Sequence, residues 1–189
     1  MTPFVKHSGL AAPLLRDNID TDQIIPSREM KSVSKTGLVG GMFAGQRYIT
    51  GRTPNPDFVL NRPNYQDATI LLSGTNFGCG SSREHAVWAL KEYGFRAIIA
   101  QSFGEIFYNN CIRNGILPVQ LSGNIIASLG HELIIDLDAQ TVDAHHFDIA
   151  KGDKYMLING LDPIALTLEN ESDITAYFAK DSTLRPWLY

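Results

Sequence analysis

The chain has few cysteines, and this scarcity excludes two classes of protein. Its 189 residues contain only Cys79 and Cys111, too few for a fold held together by disulfides. Their separation of 32 positions (111 − 79) fits no zinc-binding spacing, and an iron–sulfur cluster usually requires three or four thiolates. We therefore expect the chain to bind no metal or cofactor of its own, so that any such cluster would lie on another polypeptide.

An excess of basic residues and a long apolar run are also absent. Lys and Arg number 16 against 20 Asp and Glu, and they are scattered, which disfavours nucleic acid as a partner. No apolar run approaches the roughly 20 residues that span a bilayer, and the N-terminus lacks the apolar core of a signal peptide. We expect no membrane association and a cytoplasmic location.

What the chain does have is a globular composition, with 44% apolar and 19% charged residues. Its length favours a single domain over residues 1–189. Residues 31–52 contain five glycines, which favours a flexible flap over packed elements.

The middle of the chain alternates apolar strands with helices, a pattern typical of parallel strands in a mixed sheet flanked by helices. Gly94 and Gly115 follow the two helical patterns and predict their ends. Ser102 and Glu105 fit a capping box at the start of the second helix. The predicted elements, in chain order, are a strand at 68–72, a helix at Glu84–Tyr93, a strand at 96–100, a helix at 102–114, a strand at 116–121, a hairpin at 131–138 and 141–149, and two helical pieces within 161–184.

A glycine-rich turn at residues 78–85, Gly-Cys-Gly-Ser-Ser-Arg-Glu-His, joins the first of these strands to its helix. Gly78 and Gly80 allow positive φ and close approach of a ligand, and a helix N-terminus attracts anions. Ser81 lies three residues before Glu84, so one interpretation is simple helix capping. The other is an anion site, since Arg83 adds a planar fork suited to a carboxylate or phosphate.

Other motifs with a similar turn do not fit. Arg83 occupies the third glycine position of a dinucleotide fingerprint, no Gly-Lys-Ser/Thr follows, and Ser81 has no Gly-x-Ser-x-Gly frame. We expect His85 to pack against its own helix. Cys79 is expected to fill space, although the helix end would lower the pKa of its thiol.

A second polar cluster lies in the acidic loop at residues 17–26, Asp-Asn-Ile-Asp-Thr-Asp-Gln-Ile-Ile-Pro. A calcium loop is disfavoured, because Gln23 stands where glycine is required and Pro26 interrupts the loop. Two alternatives stay open. The loop is either a solvated turn, or it holds one carboxylate near the glycine turn as a hydrogen-bonding or proton-transfer partner.

The remaining candidates are weaker. His145 and His146 alternate along a predicted strand, so their rings point apart and form a poor metal site. Phe103 and Phe107 have helical spacing typical of core residues, as does the adjacent Tyr108. The polar end of the second helix makes Arg113 a candidate for anion contact.

Three segments carry a resemblance to a known family. They are residues 18–26, residues 76–86 with the run Asn-Phe-Gly-Cys-Gly-Ser-Ser-Arg-Glu-His-Ala, and residues 102–107 with Ser-Phe-Gly-Glu-Ile-Phe. In this order they resemble the small subunits of the 3-isopropylmalate dehydratase family, within the aconitase superfamily, over nearly the whole chain. The resemblance implies an α/β fold, a swivelling β/β/α domain like the fourth domain of aconitase, with a mixed sheet or barrel flanked by helices.

The resemblance also implies an activity that needs a partner. In that family a large subunit carries a [4Fe–4S] cluster on three cysteines, and its open iron acts on the leaving hydroxyl of the substrate. The pair, a heterodimer or heterotetramer, is a hydro-lyase that isomerises 2-isopropylmalate to 3-isopropylmalate in leucine biosynthesis. A homo-oligomer of the isolated chain stays open.

Roles for individual residues follow from the same resemblance. Ser81 is expected to be the base that removes a proton from the carbon next to a carboxylate, with Asp22 in the supporting catalytic network. The helix end, the turn N–H groups and Arg83 would stabilise its alkoxide. The residues expected to bind the dicarboxylate substrate are Ser82, Arg83, Thr21 and Arg28.

Two departures from the family pattern concern the substrate. The loop at residues 27–31 reads Ser-Arg-Glu-Met-Lys where many relatives are more apolar, and Gln46 stands where Trp is common. Another substituted malate is therefore an alternative, namely citraconate or methylmalate, dimethylmalate, or homoaconitate. An alternative of another class is a non-catalytic module that binds or senses an anion.

Overall fold

The computed structural model describes residues 1–30 and 34–189. Its strands are β1 (Lys6–Leu14), β2 (Ile70–Ser73), β3 (Ala97–Ala100), β4 (Leu117–Gln120), β5 (Glu132–Asp136), β6 (Thr141–Val142) and β7 (His145–His146). Its α-helices are α1 (Thr21–Ile24), α2 (Ala44–Arg47), α3 (Glu84–Tyr93), α4 (Glu105–Asn114), α5 (Gly123–Ser128), α6 (Lys151–Asn159), α7 (Pro163–Leu168) and α8 (Glu171–Leu184).

The strands form one mixed sheet of seven in the order β4-β3-β2-β1-β5-β6-β7. The pairs β1–β2, β2–β3 and β3–β4 are parallel, whereas β5 pairs antiparallel with β1 and leads into the short β6–β7 hairpin. Helix α3 connects β2 to β3, and helix α4 connects β3 to β4. Consecutive parallel strands need such a crossover, because the chain must return to the same end of the sheet before the next strand begins.

Apolar cores lie on both faces of the sheet. Ile70 and Leu72 of β2 belong to one buried cluster and Leu71 to the other, because successive side chains point to opposite faces. All four residues of β2 and of β3 are buried. Such continuous apolar strands are typical of the buried, parallel part of a sheet.

The predicted elements of the middle region are confirmed. Helix α3 has the predicted bounds and ends at Gly94, whose φ is 122°, and α4 ends at Gly115, whose φ is 78°. The two predicted C-terminal helices correspond to α7 and α8. The segment predicted as one strand at 141–149 instead splits into β6 and β7 around a tight turn at Asp143, whose φ is 49°.

The capping box predicted for the second helix is wrong. Helix α4 begins at Glu105 with Gly104 at its N-cap, and no side chain caps it. The Ser102 hydroxyl instead accepts the N–H of Asn76 at 2.8 Å, across the sheet edge. A tertiary hydrogen bond has replaced the local one.

The described part of the glycine-rich flap, residues 34–52, is tied to the body. Leu38, Met42 and Phe43 are buried in one of the two cores. The carboxylate of Glu92 in α3 accepts the backbone N–H of Gly37 at 2.6 Å and that of Leu38 at 2.7 Å. Residues 31–33 lie outside the described residues, and the flexibility expected of the flap stays a prediction.

No helix in the described ranges is long and apolar enough to cross a membrane.

Candidate active site

The candidate site lies at the carboxyl ends of β1, β2 and β3, where three loops meet. The Gly78 N–H donates to the Ile19 carbonyl at 2.7 Å, and the Thr21 N–H donates to the Cys79 carbonyl at 2.9 Å. The Phe77 N–H likewise bonds the Ser102 carbonyl at 2.9 Å. Loops after neighbouring parallel strands converge at one edge of the sheet, which is where α/β proteins commonly bind ligands.

The glycine turn has the backbone geometry that the sequence predicts. Gly78 and Gly80 have φ of 74° and 95°. A Cβ on Gly78 would lie 2.1 Å from Cγ of the Phe107 ring, so the turn packs directly on α4. Gly104 was not predicted as a site residue, but it packs equally closely against the turn. A Cβ on Gly104 would lie 2.8 Å from the Gly78 carbonyl oxygen.

Ser81 is exposed on this turn, and its hydroxyl has one side-chain partner among the described residues. Its Oγ lies 2.9 Å from Oγ1 of Thr21, a residue 60 positions away in the acidic loop. Thr21 is only 2% exposed and also accepts the Ser81 N–H at 3.2 Å. The position of the Ser81 side chain is therefore set by a buried hydroxyl behind it.

The interpretation of Ser81 as a helix cap is wrong. Helix α3 begins at Glu84, Arg83 occupies the N-cap position, and no side chain caps the helix. Glu84 does not reach back to Ser81, because its carboxylate accepts from the Asn114 side chain at 2.8 Å. The Ser81 hydroxyl is thus not committed to the helix.

Asp22 and Arg83 form an ion pair between the acidic loop and the glycine turn. The pair lowers the pKa of Asp22, through the hydrogen bond and charge of Arg83, with a smaller contribution from Ser27. Arg83 Nη1 is buried beneath this contact, so the Asp22 carboxylate balances its charge. The side chain of Arg83 is 22% exposed, which leaves part of the guanidinium within reach of a ligand.

Of the two alternatives for the acidic loop, the structure has the second, with one carboxylate against the glycine turn. That carboxylate is Asp22. Asp20 has a local function, since it caps α1 by accepting the Gln23 N–H at 2.7 Å. Within the described ranges, no group of three or more His, Cys, Asp or Glu side chains is arranged to hold a metal ion.

A cavity of about 410 Å³ opens beside Asp22. Arg28 lies on its wall, exposed and 3.6 Å from the Glu29 carboxylate through its Nε. Ser82 is exposed on the turn next to Ser81. The residues that line the cavity are Asp20, Asp22, Gln23, Pro26, Arg28, Gly45 and Gln46.

The six residues predicted for the site thus lie in one region, but in two different situations. Ser81, Ser82, Asp22 and Arg28 are exposed, and Arg83 is partly exposed. Thr21 is buried beneath Ser81, which favours support of Ser81 over contact with substrate.

The two cysteine thiols and the His85 imidazole have surroundings that favour packing over chemistry. Burial and the nearby charge of Asp20 raise the pKa of the Cys79 thiol, which is opposite to the expectation from a helix end. Cys111 is fully buried, and burial raises the pKa of its thiol further. His85 packs on Trp88 with ring centroids 4.6 Å apart, as expected for a packed helix histidine.

The other candidates lie away from this site. His145 and His146 are successive residues of β7, so their rings face opposite ways. Phe107 is buried and Phe103 packs against it, which confirms them as core residues. Arg113 lines a separate cavity with Trp88 and Lys91, and its proposed anion contact stays a prediction.

The fold and the site define the class of protein. Residues 1–124, about two thirds of the chain, match the family described as the aconitase C-terminal domain. The chain covers 98% of the crystal structure of 3-isopropylmalate dehydratase from Methanocaldococcus jannaschii, which covers 91% of this chain with a TM-score of 0.68 at 27% identity. The predicted fold class, a mixed α/β sheet of the aconitase type, is confirmed.

Relatives narrow the class to a particular family. The chain is 53% identical over its full length to the 3-isopropylmalate dehydratase small subunit of Cupriavidus necator, covering 99% of that protein. It is 47% identical over its full length to the small subunit of the same name from Delftia acidovorans, covering 97% of it. The chain belongs to the family of 3-isopropylmalate dehydratase small subunits.

Proposed function

We propose that this chain is the small subunit of a hydro-lyase that interconverts 2-isopropylmalate and 3-isopropylmalate by dehydration and rehydration, a step of leucine biosynthesis in the cytoplasm. The observation that carries the proposal is the exposed Ser81 hydroxyl, 2.9 Å from the buried hydroxyl of Thr21 and next to the Asp22–Arg83 pair. The names of relatives at 53% and 47% identity support the same reaction.

Ser81 is the base in this proposal. Removing a proton from the carbon next to a carboxylate requires the serine as its alkoxide, which is costly to form and needs positive or hydrogen-bonding surroundings. Thr21 Oγ1 accepts the Ser81 N–H, and its own proton lies within reach of two acceptors, Ser81 Oγ at 2.9 Å and the Ser81 carbonyl oxygen at 3.3 Å, so it can turn to Ser81 Oγ as negative charge forms there. The start of α3 adds a positive helix end a few residues away.

Arg83 holds the substrate carboxylate that activates this proton. A guanidinium binds a carboxylate through two parallel hydrogen bonds, and Arg83 is partly exposed beside Ser81. Asp22 keeps the guanidinium in place from the other side, and its lowered pKa keeps it ionised at neutral pH. Ser82 and Arg28 lie within the same exposed region and complete the binding of the dicarboxylate.

In this proposal the large subunit supplies the Lewis acid that acts on the leaving hydroxyl. The side chains gathered here are hydroxyls, a guanidinium and a carboxylate, a set suited to binding a carboxylate and moving a proton. When bound, the large subunit would bring a [4Fe–4S] cluster whose open iron acts as a Lewis acid on the leaving hydroxyl. We propose a heterodimer or a dimer of heterodimers.

A second substrate is favoured by one observation. Most residues that line the cavity beside Asp22 are polar, among them Arg28, Gln23 and Gln46, and their side chains could bind a further oxygen of the substrate. A smaller or more polar substituted malate, such as methylmalate or homoaconitate, would fit this lining better.

Turnover by the chain reconstituted with its large subunit tests both proposed substrates, isopropylmalate and another substituted malate. We expect the pair to convert 2-isopropylmalate and the chain alone to be inactive. Citraconate, dimethylmalate and homoaconitate are assayed under the same conditions, and a higher kcat/KM for one of these would replace the substrate. No turnover of any of the four, together with calorimetric binding of a malate by the isolated chain, would contradict the proposal in favour of an anion-binding module.

A further inference from the structure

The C-terminal segment at residues 163–189, here called the arm, exposes an unusual amount of apolar surface. Of the fifteen exposed large apolar side chains in the described part of the chain, nine lie in the arm. Within α8 only Asp181 is buried. The nine exposed side chains of the arm are Ile164, Leu168, Ile174, Tyr177, Phe178, Leu184, Trp187, Leu188 and Tyr189.

The ion pair, side-chain hydrogen bonds and ring contacts that the structure gives α8 are made within the arm itself. Arg185 pairs with Asp181, and the Tyr189 hydroxyl donates to Asp181 at 3.0 Å. Phe178 packs edge-on against Tyr189 with centroids 6.2 Å apart. A helix of 14 residues without tertiary packing is marginal in water, since most helical stability in proteins comes from a packed apolar face.

The apolar residues of α8 share one stripe. Ile174 and Phe178 are four residues apart, and Tyr177 and Leu184 are seven residues apart, so the four side chains fall within about a third of the helix circumference. Trp187, which is 75% exposed, lies three residues beyond the end of the helix and adds to the exposed apolar surface of the arm. Aromatic side chains in such a stripe are the residues that most often anchor protein interfaces.

The arm lies outside the region that this chain shares with aconitase C-terminal domains, which ends at residue 124. A domain joined covalently to its neighbour meets it at an effective concentration in the millimolar range, an advantage that a separate subunit loses. The relatives of this chain are named small subunits, and an additional non-covalent contact would compensate for the missing covalent link.

We propose that the arm docks on the large subunit through its exposed apolar side chains, Phe178 and Trp187 among them. This proposal rests on the function proposed above. The arm has four acidic and two basic residues, a net charge of −2, and three of its acids, Glu169, Glu171 and Asp173, cluster near the start of α8. A basic rim would complement these acids, and the relatives of this chain are named small subunits, so the occupant is an apolar groove with a basic rim on the large subunit.

Binding of the large subunit to full-length variants tests the proposal. We expect Phe178→Ser and Trp187→Ser together to raise Kd for the large subunit about 30-fold or more, since aromatic anchors dominate interface energy. The matched control is Ile134→Ser, an apolar side chain of similar exposure on β5. Saturating amounts of the large subunit are expected to restore turnover, because the arm contributes no hydrogen bond to the described site residues.

Hydrogen exchange of the wild-type chain gives a second readout that needs no variant. Amides of residues 171–184 are expected to exchange rapidly in the isolated chain and to become protected when the large subunit binds. An active wild-type pair with unprotected arm amides, or with unchanged affinity in the double variant, would overturn the arm proposal alone. So would an isolated-chain dimer that the double variant dissociates without changing affinity for the large subunit. A wild-type pair that neither assembles nor turns over would instead reject the proposed function.

Discussion

At the scale of single residues, one contact of two hydroxyls decides how Ser81 is interpreted. Its Oγ meets a buried threonine hydroxyl at 2.9 Å and not the N-terminal N–H groups of α3. A serine in a capping box would have been held by the helix backbone and unavailable for chemistry. The contact with Thr21 leaves it oriented, exposed and able to receive a hydrogen bond as negative charge forms.

Replacement of Thr21 by valine tests this contact. Thr21→Val keeps the shape of the buried side chain but removes the donor to Ser81, so we expect kcat of the assembled enzyme to fall about 100-fold with little change in KM. Thr21→Ser keeps the hydroxyl and is expected to retain most activity. Equal kcat for the valine variant and the wild type would show that Ser81 does not depend on this hydroxyl.

The ionisation of Asp22 gives a prediction about pH. Its folded-state pKa is lowered, so the pair with Arg83 contributes above the ordinary carboxyl pKa of about 3.9 and is lost as pH falls through the lowered value. Titration of the side-chain carboxyl by NMR is expected to show a midpoint below the ordinary carboxyl pKa of about 3.9. In Arg83→Gln the midpoint rises, whereas in Arg62→Gln, a change at a distant exposed arginine, it stays constant. Identical midpoints in the wild type and Arg83→Gln would rule out the pair as the cause.

At the scale of elements, the glycine turn is held by packing from α4. Gly78 combines a φ of 74° with a Cβ position 2.1 Å from the Phe107 ring, so it permits both the turn and the approach of the helix. The loops after β1 and β3 then bond to this turn through the main chain. The site geometry therefore depends on small residues as much as on polar ones.

Gly78→Ala measures that dependence. We expect a loss of about 2–4 kcal/mol in the free energy of unfolding, the sum of a strained positive φ and overlap with Phe107. Gly37→Ala is the matched control, because Gly37 has a φ of 85° but no atom within 4 Å of its Cβ position. Its loss is expected to be about 1 kcal/mol. Urea unfolding of the isolated chain gives both values, and equal losses would contradict the packing argument.

Local sequence patterns predicted the elements that local physics controls. The bounds of α3, the ends of α3 and α4 at glycines and the positive φ of Gly78 and Gly80 depend on residues a few positions apart. The two capping boxes were wrong because tertiary partners competed for Glu84 and Ser102. Helices α5 and α6 were missed, and weak apolar periodicity explains this, since few of their residues are buried.

The site could be predicted in part. Ser81 and Arg83 could be predicted as site residues, because both lie within the glycine turn, one and three residues after Gly80. The contact between Thr21 and Ser81 spans 60 positions, and no local pattern reports which hydroxyl lies behind which. The pairing of the two loops through the main chain, from Gly78 to Ile19 and from Thr21 to Cys79, fixes that relation.

At the scale of the whole molecule, the chain is interpreted as one half of an enzyme. Ser81, the proposed base, lies exposed at one edge of the sheet, and the C-terminal arm exposes an apolar face. Both features have a physical reason if a large subunit covers them. The family of the chain, whose members are named small subunits, agrees with this account.

Turnover of 2-isopropylmalate by the complex with Ser81→Ala tests the central claim most directly. The account predicts a loss of kcat of about 10²- to 10⁴-fold, the usual contribution of a general base, with undiminished binding of the large subunit. Ser128→Ala, at an exposed serine of α5, serves as the control and is expected to match the wild type. An assembled Ser81→Ala complex with wild-type turnover would contradict the assignment of Ser81 as the base.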